Sequence, residues 1–179
     1  MDEIYSVPLK KLVEDLNIEV LYAATDYARI RLTVEDVSRP GLQLTGFLDH
    51  FEPMRMQIIG NAESSYLQKL SENEREVTFD RLFSYKFPAL LIARNIPVDP
   101  VCMAMAQKHN VTLLRTGEAT STIISGIITY LRGALAPRIT RHGVLVEVYG
   151  EGLLLVGDSG IGKSEAAVEL LKRGHRLIA

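Results

Sequence analysis

The stretch Gly157-Asp158-Ser159-Gly160-Ile161-Gly162-Lys163-Ser164 meets every fixed position of G-x-x-x-x-G-K-[ST], and it constrains the fold of this chain more than any other feature. The glycines let the backbone curl until successive N–H groups point inward at an anion. A lysine at position 163 reaches terminal phosphates, and the Ser164 hydroxyl ligates Mg²⁺. The helix that follows adds the partial positive charge of its N-terminus. Such a loop needs a strand before it and a helix after it, and both flanks agree. Gly152-Leu153-Leu154-Leu155-Val156 is strand-like, and residues 165–173 have helical spacing. On that helix Ala166, Ala167, Leu170 and Leu171 are expected on the buried side, Glu169 and Arg173 form an i,i+4 pair, and Gly174 is the natural C-terminal stop.

Residues 142–149 alternate Val144, Val146 and Val148 against Leu145, Glu147 and Tyr149. Only Gly150-Glu151-Gly152 separates this run from the strand that feeds the loop. A parallel crossover needs about a dozen residues, so the two strands are expected to form an antiparallel hairpin. Most phosphate loops are fed from a parallel sheet, and the hairpin narrows the choice of family.

The region upstream reads as α/β. Residues 5–16 have the apolar spacing of a short helix, with Ser6 as N-cap and Pro8 in the first turn. Residues 18–21, 30–34, 54–60, 89–93 and 111–114 read as strands, and 62–71 and 100–109 as helices. Ser38-Arg39-Pro40-Gly41 is a turn signal. Residues 73–78 are polar and are expected to end a helix, with a further short helix at 79–83. The alternation favours a largely parallel, mixed sheet between helices. Residues 119–136 are the clearest helix, capped by Thr120 or Ser121 and stopped by Pro137. A domain boundary is expected near Pro137-Arg138-Ile139-Thr140, dividing the chain into 1–136 and 137–179.

Composition excludes several classes. A net charge of −2 leaves no basic footprint for nucleic acid, and Arg132, Arg138 and Arg141 read as a solvated helix end and linker. The single cysteine, Cys102, rules out an intrachain disulfide and lies in an apolar run, as a core thiol does. Met1-Asp2-Glu3-Ile4 lacks an apolar signal core. No apolar run approaches the ~18–20 residues that span a bilayer, so a cytoplasmic location without membrane contact is expected.

The residues from His142 to Gly150, the loop with Glu165, and Lys172-Arg173-Gly174-His175-Arg176-Leu177 together resemble bacterial HPr kinase/phosphorylase. Ser38-Arg39-Pro40-Gly41-Leu42 and Thr45-Gly46-Phe47 are similar to the first domain of that family. The resemblance implies a serine protein kinase that phosphorylates a regulatory serine of the phosphocarrier HPr and reverses the modification by phosphorolysis, in control of carbon catabolite repression. It implies ATP or pyrophosphate with Mg²⁺, a homohexamer, and a loop-bearing domain similar to phosphoenolpyruvate carboxykinase. The first domain would resemble the nucleotide-sugar-binding domain of peptidoglycan ligases. By the same resemblance Lys163 binds phosphate, Ser164 ligates Mg²⁺, and His142 is an active-site residue. His50, His109 and His175 are expected to be ordinary. In the family a paired Asp follows the segment matched by His175–Ala179, and one of the two is the catalytic base. This chain is therefore expected to stop short of the base and to be inactive by itself. Two alternatives are compatible with the residues: a small-molecule kinase with a similar loop, and a non-catalytic sensor that nucleotide regulates.

Overall fold

The computed structural model describes residues 5–138 and 140–179. The acidic start at 1–4 and Ile139 of the expected boundary lie outside the described residues. The chain divides into two compact units, one ending at Ala136 and the other beginning at Pro137.

The first unit opens with β1 (Val7–Pro8), α1 (Leu9–Asp15), β2 (Glu19–Tyr22), a 3-10 turn at Tyr27–Arg29, β3 (Arg31–Leu32) and β4 (Val37–Ser38). There follow α2 (Gly41–Leu44), β5 (Met56–Ile59), α3 (Asn61–Leu67), α4 (Glu72–Phe83), β6 (Ala89–Ile92), α5 (Pro100–His109), β7 (Thr112–Arg115) and α6 (Thr120–Leu135). Five strands make one mixed sheet in the order β2-β7-β6-β5-β4. The four strands from β4 to β7 run parallel, and β2 joins β7 antiparallel, with Glu19 opposite Arg115. The α/β alternation of the sequence thus forms a sheet covered on both faces. Met56, Ile58, Leu91 and Leu114 pack with α1 and α6, while Ile59, Leu90, Ile92 and Leu113 pack with α4 and α5. Double coverage explains why all four residues of β5 and of β6 are buried instead of alternating.

Local chemistry sets the element ends, and it corrects several expectations. Residues 72–83 are one helix rather than a polar stop and a short helix. Ser71 and Glu74 form a capping box: the Ser71 N–H donates to Glu74 Oε2 (2.7 Å), and the Glu74 N–H donates to Ser71 Oγ (3.4 Å). The polar residues of 72–77 line its outer side, while Phe79, Leu82 and Phe83 are buried. Val7-Pro8 pairs with Leu32 and Arg31 as a strand, so the first helix begins at Leu9 and Ser6 does not cap it. Gly41 is the first residue of α2 with Pro40 before it, so the expected turn is a strand-to-helix junction. The N-cap of α6 is Ala119, without a side-chain cap. Thr120 is instead buried against Gly60, where a side chain on that glycine would collide with it. At α5 the expected helix over 100–109 is present; Asp99 Oδ1 accepts from the Val101 N–H (2.8 Å), and Asn110 ends the helix in the left-handed conformation. Cys102 is a buried core thiol whose pKa burial pushes well up.

Candidate phosphate-binding site

The second unit is a three-stranded antiparallel sheet under one helix. Its elements are β8 (Gly143–Val148), β9 (Glu151–Val156), α7 (Lys163–Lys172) and β10 (Arg176–Leu177), in strand order β10-β8-β9. The expected hairpin is present, with Val148 opposite Glu151 and Gly143 opposite Val156. Its turn is the pair Tyr149-Gly150, both left-handed at φ 52° and 85°, the geometry that matches the twist of paired strands. The turn is one residue tighter than the Gly150-Glu151-Gly152 link read from the sequence.

β9 delivers the chain directly into the loop. Gly160 and Gly162 take φ of 83° and 95°, which L side chains rarely adopt, and α7 starts at the next residue, Lys163. No side chain caps α7, so the first-turn N–H groups face the loop without a side-chain acceptor. Lys163 folds back over the loop, and its Nζ donates to the carbonyls of Gly157 (2.7 Å) and Asp158 (2.6 Å). The ammonium is thereby held at the mouth of the curl. The Ser164 hydroxyl makes no side-chain hydrogen bond among the described residues and is exposed. Asp158, Ser159 and Ile161 are also exposed on the loop. Backbone donors, one ammonium and a free hydroxyl form a donor set that suits polyphosphate with a hard divalent cation. Among the described residues no cluster of three or more His, Cys, Asp and Glu is placed to hold a metal by itself.

His142 is exposed and immediately precedes β8. Extending the β8–β9 register by one residue sets it opposite Gly157, at the entrance of the loop. The other histidines lie elsewhere. His109 Nε2 is 2.8 Å from Asp80 Oδ1 in the first unit, and His50 has left-handed backbone (φ 62°). The His175 ring meets Tyr149 edge-on at 4.9 Å. That contact joins the hairpin turn to the segment after α7, and no local pattern in the sequence announces it.

On α7 the expected buried side is only partly buried. Ala167 is covered and Leu170 half-covered, while Ala166 and Leu171 are exposed in this chain. The Glu169–Arg173 pair forms at 3.1 Å, and Gly174 follows the helix in left-handed conformation.

Residues 7–131 match the family described as HPr Serine kinase N terminus, and residues 133–179 match the HPr Serine kinase C-terminal domain. The chain is 48% identical over 174 residues to an HPr kinase/phosphorylase of Lachnoclostridium phytofermentans, covering 97% of this chain and 56% of the relative. It is 47% identical to that of a Thermoanaerobacter species over 97% and 56% of the two chains, and 41% identical to that of Streptococcus uberis over the same shares. The chain therefore spans little more than half the length of these curated relatives. Among solved structures, the regulatory region of Clostridium perfringens pyrophosphatase aligns with 16% identity and a TM-score of 0.48, over 68% of this chain and 45% of that one. Among the described residues no helix is long and apolar enough to cross a membrane.

Proposed function

This chain belongs to the HPr serine kinase family, and on that premise we propose that it supplies the phosphate-binding loop of a cytoplasmic enzyme acting on a serine of HPr. The forward reaction moves the terminal phosphoryl group of ATP or pyrophosphate to the serine oxygen. In the reverse reaction inorganic phosphate attacks the phosphoserine and leaves as pyrophosphate. The donor brings the phosphoryl group, and Mg²⁺ offsets its charge when bound. The residues of this chain hold and orient: the N–H groups from Gly157 to Gly162 cradle the phosphates, Lys163 turns from the Gly157 and Asp158 carbonyls to the terminal phosphate, and Ser164 ligates the cation. His142, one residue before the Gly143–Val156 pair that opens the hairpin, is assigned to the reacting end of the loop. Residues 1–136 and 137–179 act as separate domains, and the parent assembles as a homohexamer.

The observation that carries this reading is the hairpin-fed loop itself, in which two left-handed glycines lead straight into an uncapped helix behind Lys163. Phosphoryl transfer depends on such positioning together with charge stabilisation. The decisive test uses the protein extended to the length of its relatives, with purified HPr, Mg²⁺ and labelled ATP. Label is expected on HPr and is released when inorganic phosphate is added, and Lys163→Ala lowers transfer by ~10²-fold or more. Bound nucleotide without label on HPr would overturn the protein-kinase reading in favour of a small-molecule kinase or a sensor.

A further inference from the structure

The first unit holds an arginine whose surroundings call for an anion. Arg81 lies on the last turn of α4, and its half-buried guanidinium rests against the backbone of Gly46. A Cβ at Gly46 would stand 2.9 Å from Nη1, a contact the end of the arginine can relieve by shifting, while the left-handed φ of 102° is what favours glycine there. Other partly covered arginines of this unit face carboxylates: Arg39 with Glu63, Arg55 with Asp36, Arg75 with Asp99 and Arg115 with Glu19. Among the described residues Arg81 has no ion pair or side-chain hydrogen bond, and its Nε is shielded from solvent without a partner. A half-buried cation left this way costs free energy that a bound anion would recover.

Arg81 borders a cavity of about 350 Å³ that opens between α2, α3 and α4. That size suits a small organic molecule. Thr78, one turn before Arg81, also lines it. Thr78 is only 6% exposed, yet its hydroxyl makes no hydrogen bond among the described residues, not even the common one back to the preceding helical turn. The Arg81 guanidinium and the Thr78 hydroxyl, neither bonded to another side chain among the described residues, therefore belong to residues that line the same space. The remaining wall is largely apolar, through Leu44, Leu70 and Val77, and Val77 is 63% exposed. Glu74 at the rim is tied to Ser71 N–H and Oγ, contacts that hold its carboxyl below the usual range and so keep it negative. One fixed negative charge beside one arginine disfavours a phosphate dianion and suits a single negative charge on an apolar body.

We propose that this cavity binds a small monocarboxylate, its carboxylate on the Arg81 guanidinium and the Thr78 hydroxyl, its apolar body against Leu70 and Val77. The site belongs to the first unit.

Valerate is the probe, titrated into the isotope-labelled protein at constant ionic strength while backbone amide shifts are followed. Saturable shifts at Thr45, Gly46, Thr78 and Arg81 in the millimolar range are expected. Arg81→Gln weakens the binding by ~10-fold or more. Thr78→Val, which keeps the shape of the side chain, weakens it less and decides the matter if Arg81→Gln does not fold. Absence of saturable shifts at these amides, or shifts that both variants leave unchanged, overturns the proposal. Tighter binding of inorganic phosphate than of valerate at the same amides overturns the carboxylate assignment.

Discussion

The first unit packs several helices on its sheet and the second a single one, and they bury very different shares of it. In the first, every residue of β5 and β6 is covered, and Phe79, Phe83 and Leu82 close the core beneath α4. In the second, Leu153, Leu154 and Val156 of β9 remain 46%, 48% and 59% exposed, and Val146 and Ala167 are the apolar residues fully covered among those described. The phosphate loop nevertheless has its shape. Left-handed glycines and a helix start are local backbone properties, whereas holding them against thermal motion depends on burial around them. Within these 179 residues the unit that carries the phosphate loop thus buries less of its sheet than the first unit does.

The sharpest test of that contrast is hydrogen exchange on the whole chain. Amides of β5, β6 and β7 should be protected ~10³-fold or more beyond those of β8, β9 and α7, because a doubly covered sheet opens only with the unit while a thin one opens locally. Equal protection would break the comparison.

Truncating side chains probes the same difference residue by residue. Phe83→Ala, at a position 0% exposed, should destabilise the first unit by ~3–5 kcal/mol in denaturant unfolding. Leu154→Ala, on the open face of β9, should change stability by less than ~0.5 kcal/mol. A large loss at Leu154 would mean that this face is covered in solution.

The smallest expected effect concerns charge. Burial raises the pKa of Glu63, but the hydrogen bonds from Arg39 Nη2 and the Gly60 N–H (both 2.9 Å) outweigh it and hold the carboxyl below its ordinary 4.5. A lowered folded pKa gives stability that is present above 4.5 and is lost as pH falls through the lower folded value. Glu63→Gln should therefore cost ~1–3 kcal/mol near neutrality, and its melting temperature should converge on that of the unmutated chain as pH drops below 4.5. The exposed Glu169–Arg173 pair of the second unit offers the control, since Glu169→Gln should cost at most ~0.5 kcal/mol. A gap at Glu63 that stays constant with pH would show that its contribution is steric.

Elements with a local signature were legible in the sequence. Helix α5 runs from Pro100 to His109, the bounds its spacing indicated. The antiparallel hairpin followed from a link too short for anything else, and the family followed from motifs spread over the chain. What the reading missed depended on contacts between distant segments. Residues 73–78 looked like a helix stop because the apolar residues that follow, Phe79 and Phe83, gain meaning only against Phe87 and the sheet. Val7-Pro8 looked helical until β3 arrived to pair with it. The cavity at Arg81 is of the same kind, since no sequence window holds Gly46, Thr78 and Arg81 together.

By itself, then, the sequence determined the phosphate loop, its hairpin, the α/β class and the family, because each rests on spacing along the chain and on the backbone preferences of Gly, Pro and capping residues. Only the tertiary structure decided which faces are buried, which helix ends are capped and which arginine is left without a carboxylate, because those depend on what distant segments place within a few ångströms.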